Sequence, residues 1–196
     1  MGYLKKIGPV AVVLGIISLL NDISSEMIHP LLPIFLYSVI GASPLQVGII
    51  EGIADMSSSL LKLFSGRISD IYKKKKVFIV GGYRLASISR ILISFSRTWF
   101  DVLFLRFTDR VGKGIRTAPR DALLSVSVAK DAVGRAFGFH RAMDHFGAML
   151  GPLVAFALLS YRPEDYRFVF LAAGIIGLSA AIFGLIFIKE RRNDTK

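Results

Sequence analysis

The sequence predicts an all-α membrane protein: six transmembrane helices with both termini in the cytoplasm. Three observations lead there. First, 53% of the 196 residues are hydrophobic, and the mean hydropathy of +0.57 is too high for an ordinary soluble domain of this length. Second, the stretch from Gly66 to Lys76 holds Asp70 and four consecutive lysines between two long apolar segments. Short loops rich in Lys and Arg stay in the cytoplasm, so this stretch orients every other crossing. Third, Phe168 to Ile188 is 21 residues without a charge, enough to span a hydrocarbon core of about 30 Å.

The first helix is expected over Ile7 to Val39. Lys5 and Lys6 before an apolar run resemble the start of a signal peptide, but no small-residue cleavage site follows and the apolar character resumes through Leu36. Pro30 and Pro33 should bend this helix, because proline removes a backbone donor and clashes with the preceding turn. Ser43 and Pro44 suit the N-cap and first position of a second helix running to about Phe64. The charged stretch follows as a tight loop, and the third helix runs from about Val77 to Phe95.

Trp99 and Phe100 mark an outer interface, where amphipathic rings settle. The fourth helix spans about Phe100 to Ile115, and residues 116–134 read as a polar connection. The fifth helix covers about Arg135 to Leu159, and the sixth Phe168 to Ile188. Lys189, Arg191, Arg192 and Lys196 place the C-terminus inside. The outer loops keep only Arg97, Arg162 and Arg167, set against Asp101, Glu164 and Asp165.

Five of the six helices carry charges that lipid does not tolerate freely. An ionisable side chain at the bilayer centre costs about 2.5–3.5 kcal/mol on insertion scales and persists where it faces a bundle interior or a water-filled path. Asp22, Glu26 and His29 share one face of the first helix, and Glu51, Asp55 and Lys62 one face of the second. The Glu51 end lies nearer the outer surface, where solvation would suffice. Tyr83, Ser87, Arg90, Ser94 and Arg97 form a stripe on the third helix, where Arg84 and Arg90 are expected to pair with neighbouring carboxylates. The fourth carries Arg106, Asp109, Arg110 and Lys113; Arg106 lies deepest, and Arg110, Lys113 and Arg116 are placed at the inner interface. On the fifth, Arg141 and Asp144 can neutralise each other, beside His140 and His145. Each set has two readings, a path for protons or a cationic substrate and a structural ion pair. Asp22, Glu26, Arg106, Asp109, Arg141 and Asp144 are the candidate path residues. The sixth helix offers Gly174, Gly177, Ala181 and Gly184 as a packing face.

Other classes find no support. The +11 net charge falls between apolar segments, not on one soluble face as in a nucleic-acid binder. There is no cysteine, and the three histidines lack metal-ligand spacing. Gly112-Lys113-Gly114 fails as a phosphate loop, since Phe107 stands where a glycine is needed and no Ser or Thr follows the lysine. No enzyme motif, metal site or cofactor is expected.

Four motifs, in order, resemble the N-terminal half of a major facilitator superfamily transporter, similar to its drug:proton antiporter-like group. Gly66 to Asp70 with the following lysines resembles the loop between helices 2 and 3, G-x-L-A-D-R-x-G-R-K, with Ile71 and Lys73 departing from it. Arg106 to Gly114 resembles the helix 4 motif R-x-x-Q-G-x-G-x-G, with Asp109 for Gln and Arg110 for Gly. Gly147, Gly151 and Pro152 resemble the helix 5 motif G-x-x-x-G-P-x-x-G-G, whose last glycines are replaced by Ala155 and Phe156. Pro30 to Pro33 resembles the end of helix 1.

The resemblance implies two inverted three-helix repeats, residues 1–98 and 99–196, together half of the family's fold. It implies a gating stretch of Gly66, Asp70, Lys74 and Lys75, proton coupling assisted by Arg106 and carried by Glu26 or Asp22, and a packing motif of Gly147, Gly151 and Pro152. The resemblance does not supply a substrate; the intramembrane carboxylates lead to the expectation of a small molecule, amphipathic or cationic, exported against protons by alternating access in the plasma membrane. Family members use twelve helices, so a second six-helix half is expected, as a homodimer or a separate C-terminal half. In a homodimer, Asp22, Glu26 and Arg106 should face the two-fold axis. The competing class is a non-transporting membrane interaction module, or the remnant of a transporter.

Overall fold

The computed structural model describes the backbone of residues 2–72 and 75–188, and the side chains of residues 7–67 and 75–188. Among these residues there are seven α-helices, one short 3-10 turn and no strand. The helices are α1 (Gly2–Ile28), α2 (Leu32–Ser38), α3 (Pro44–Tyr72), α4 (Lys75–Ile93), α5 (Trp99–Val126), α6 (Val133–Tyr161) and α7 (Tyr166–Phe187), with the 3-10 turn at Lys130–Ala132. By length and composition, Ile7–Ser38, Lys130–Tyr161 and Tyr166–Phe187 suffice to cross a membrane. The remaining long helices, α3, α4 and α5, are rich in charge; at 29 residues α3 is about 43 Å long.

Three boundaries differ from the sequence expectation. The first helix breaks at residues 29–31 and restarts as α2, where a bend alone was expected. Pro30 and Pro33 cannot donate to the carbonyls one turn back, and α2 is turned so that Phe35 packs edge-on against Phe170, centroids 5.1 Å apart. The charged stretch, expected as a loop, is helical as far as Tyr72, and α4 begins at Lys75. Contact with α5 sustains that extra helix: Ser65 Oγ donates to Gly114 O at 2.9 Å, and Gly66 lies against Ala118. Lys74 is outside the described residues, as is the Asp70 side chain, and so is the C-terminal lysine and arginine cluster. Lastly, α5 continues through Pro119 to Val126, because the residues that read as a polar connection include Arg116 and Arg120, both buried against other helices.

The helices pack in a regular pattern. α1 lies against α6 and α7, α5 against α3 and α4, and α4 against α7. Exchanging α1, α3 and α4 for α5, α6 and α7 maps this set of pairs onto itself. Many of the large side chains left exposed are apolar, among them Leu63, Phe104, Phe156 and Ile186, as expected of a surface solvated by lipid. The interior holds two apolar clusters. One gathers Leu14, Ile79, Tyr83, Leu124 and Ala180; the other gathers Met27, Phe35, Ile50, Val102 and Phe170.

Several crossings are closed by glycine. A Cβ on Gly82 would lie 2.5 Å from Gly112 O, and one on Gly112 would lie 2.6 Å from Gly82 O, so α4 and α5 touch backbone to backbone. On α6, a Cβ on Gly147 would meet Leu19 O at 2.6 Å and one on Gly151 would meet Glu26 Cβ at 2.7 Å. Small residues at such contacts give the van der Waals packing that associates helices in lipid. The expected packing face of α7 is also seen, with Gly174 against Ile91 and Gly177 against Ser87 and Ser24. Gly112→Ala should therefore destabilise the protein by about 1–3 kcal/mol, read as a lower melting temperature in detergent. Gly81→Ala, where the added Cβ meets nothing within 4 Å, should leave it unchanged.

Candidate functional site

Between the two apolar clusters lies a layer of buried polar side chains. On α1 it comprises Ser18, Asn21 and Ser24, on α4 Ser87 and Arg90, and on α5 Arg106, Asp109, Arg116 and Arg120. Each occupies the stretch of its helix between residues of the two clusters. The helical period explains the grouping: Arg106, Asp109, Lys113, Arg116 and Arg120 recur every three or four residues along one side of α5.

The first part of this layer is a closed ion-pair network. Arg106 forks onto Glu51 of α3, Nε donating to Oε1 at 3.0 Å and Nη2 to Oε2 at 3.1 Å. Its Nη1 donates to Asp109 Oδ2 at 3.3 Å. Asp109 also accepts from Arg90 Nε at 3.0 Å, and both side chains are almost wholly buried. Arg90 Nη1 turns to α1, donating to Ser24 Oγ at 2.8 Å and to Asn21 O and Oδ1 at 3.2 Å. Ser24 Oγ passes the chain on to Ala173 O of α7. Arg110 adds an ion pair to Asp55 at 3.5 Å. The network thus joins α7, α1, α4, α5 and α3, and three guanidinium groups meet three carboxylates.

The second part centres on Asp144 of α6. Ser18 Oγ donates to its Oδ1, and Arg141 Nη1 to its Oδ2 at 3.2 Å. His140 Nδ1 is 3.4 Å from Oδ2, while His140 Nε2 is buried without a hydrogen-bond partner. Arg120 reaches Ser18 Oγ at 3.4 Å and pairs with Asp121 at 2.9 Å.

The expected path residues therefore divide. Arg106 and Asp109 meet in the first network, Arg141 and Asp144 in the second. Among the described residues, Asp22 and Glu26 join neither by an ion pair within 4.0 Å; Asp22 accepts from Asn21 Nδ2 at 3.0 Å. Both are half-buried on α1 where Gly147 and Gly151 let α6 approach their Cβ atoms. Arg106 does not share their open face. It is turned to α3 and covered, 3% exposed, because the Glu51 carboxylate accepts two of its hydrogen bonds. Glu51, for which the sequence left solvation and a role inside the bundle open, is thereby held against α5 and partly buried. Arg90 does pair with a carboxylate, whereas Arg84 is exposed. Of the expected gating stretch, Gly66 packs on α5 and Lys75 opens α4.

Several members of the layer escape sequence reasoning. Asn21, Ser18 and Ser24 look unremarkable in an apolar helix, although Ser18 and Asn21 stand three apart, on the side from which Ser24 also projects. Arg116 looks interfacial but is 3% exposed, its guanidinium stacked 4.3 Å from the centroid of the Tyr83 ring. No group of residues suited to a metal ion occurs among the described residues.

Removing one partner of a buried ion pair strands the other charge, at about 3–5 kcal/mol. Arg90→Met should cost that much in unfolding free energy. The double variant Arg90→Met, Asp109→Leu should recover a large part of it, in a double-mutant cycle followed by chemical denaturation in micelles.

The sequence profile of the Major Facilitator Superfamily matches residues 14–196. The chain is 40% identical over 178 residues to an uncharacterized MFS-type transporter of Methanocaldococcus jannaschii, covering 91% of this chain and 44% of that protein. It is 30% identical to an uncharacterized protein of Mycobacterium tuberculosis, covering 91% and 43%. It is 26% identical to a multi-drug resistance efflux pump PmrA homolog of Lactococcus lactis, covering 81% and 38%. The chain spans less than half the length of these relatives. The family match over nearly its whole length, together with helices that bury charge and expose apolar side chains, identifies this chain as a member of the Major Facilitator Superfamily.

Proposed function

We propose that this chain is one six-helix half of a transporter that exports a small amphipathic compound by alternating access, driven by protons and acting with a second six-helix half. It crosses the plasma membrane six times with both termini in the cytoplasm, and α1 with α2 counts as one crossing. The observation that carries this reading is the charged layer inside the bundle. Intramembrane charge is costly, and a bundle needing only to persist in lipid would be better served by apolar packing. The set of helix pairs that maps onto itself supports two three-helix repeats, residues 1–98 and 99–196. The multidrug names of some relatives support export.

Within this reading the two parts of the site do different work. The Arg90–Asp109–Arg106–Glu51 network holds the half together as a rigid body. Asp22 and Glu26, half-buried and without an ion pair among the described residues, load and release the proton, with Asp144, Arg141 and His140 beside them on α6. The stretch from Gly66 to Lys75 meets the other half at the cytoplasmic end and steadies one state of the gate.

In proteoliposomes with an imposed pH gradient and a panel of amphipathic dyes of both charge signs, Asp22→Asn and Glu26→Gln should together reduce flux at least tenfold. Unchanged gradient-driven flux in that double variant would sink proton coupling through α1, and no flux of any dye by the native protein would favour a non-transporting module. The absence of cysteine makes topology directly testable. Arg162→Cys should react with a membrane-impermeant maleimide added outside intact cells, and Lys76→Cys only after permeabilisation; the reverse pattern would invert the orientation.

A further inference from the structure

We propose that Arg116, with Lys113 one turn away, holds an anionic group of the transported compound, a carboxylate or a phosphate. The inference rests on the transport reading and gives the substrate a charge. Every other arginine buried in the layer has a carboxylate partner: Arg90 and Arg106 share Asp109, and Arg120 holds Asp121. Arg116 has none within 4.0 Å among the described residues, and its Nε and Nη1 are buried without an acceptor. The hydroxyl of Tyr83, whose ring the guanidinium covers, is likewise buried and unpartnered. A guanidinium cannot shed its proton to escape such a site, and a buried charge is tolerated only when something neutralises it. Two donor groups, one of them charged, therefore wait on an acceptor that the described residues do not supply.

The surroundings set its sign. Lys113 stands three residues before Arg116 on α5 and is exposed, which gives the pair an open end. Lys113 also lacks a carboxylate within 4.0 Å among the described residues. Asp22 is the acid that acts on both cations, and Asp109, which also interacts with Arg116, is already paired with Arg90 and Arg106, so positive charge is left over around Arg116 and Lys113. Arg120 and Arg90 add to the positive field at Arg116. A cationic group would be repelled there, while an anionic one would satisfy the open donors and cancel the surplus.

The test uses the full-length protein in nanodiscs, with inorganic phosphate and succinate as probes against chloride at matched ionic strength. Calorimetric titration and thermal shift should show saturable binding of at least one probe. Arg116→Gln should weaken it at least tenfold and Lys113→Gln several-fold, with Arg116→Lys intermediate. If Arg116→Gln does not fold, Arg116→Lys and Lys113→Gln carry the test, and unchanged affinity in both overturns the proposal. It is also overturned if neither probe binds beyond chloride and Arg116→Gln instead loosens the two halves, which would assign the missing acceptor to a carboxylate of the second half. Anion binding that depends on Arg116, without flux in liposomes, would leave the site standing and remove the transport reading. Dye flux that survives Arg116→Gln without anion binding would remove the site alone.

Discussion

Arg90 is the side chain on which the bundle is tied. Its guanidinium reaches Asp109 on α5 and Asn21 and Ser24 on α1, and Ser24 in turn reaches α7. In lipid there is little hydrophobic force to bring helices together, so packing and interhelical hydrogen bonds must do it. A charge that can be satisfied only when three other helices stand in one arrangement excludes the alternatives, because any of them would strand it.

The glycines make that arrangement possible. A Cβ on Gly177 would lie 2.7 Å from Ser87 Oγ, 2.8 Å from Ser24 Oγ and 3.4 Å from Arg90 Nη1. Clearance on α7 is therefore what allows the Arg90 network to fit. Gly147 and Gly151 do the same beside Asp22 and Glu26. Close packing and intramembrane charge go together here: Arg90, Arg116, Asp22 and Glu26 each sit where a neighbouring helix has given up a side chain.

The charged layer has a balanced region and an unbalanced one. Around Arg106 and Asp109 every guanidinium has a carboxylate, and the chain is closed. Around Arg116 and Lys113 positive charge exceeds negative, and among the described residues the Asp22 carboxylate is held only by Asn21. Balance suits a part that moves as a rigid body; imbalance suits a place where ligands and protons come and go. Both regions lie on α5, separated by about one turn.

Much of this was legible in the sequence. Long apolar runs, bounded by Pro44, Trp99 and Tyr166, located the long helices, because the length of a membrane crossing and the cost of an unpaired backbone group leave little choice. The stripes on α1, α4 and α5 were visible because the helical period places residues three and four apart on one face. Period alone reveals a face and not what lies across it. The partners of Arg106 and Arg90, the burial of Arg116 and the helical continuation through residues 66–72 and 116–126 were decided by neighbouring helices, which turned residues that read as solvated into interior ones. The sequence by itself determined that charge would be buried in an all-helical membrane protein. Only the tertiary structure decided which charges cancel and which remain, because pairing depends on distances between helices far apart in the chain.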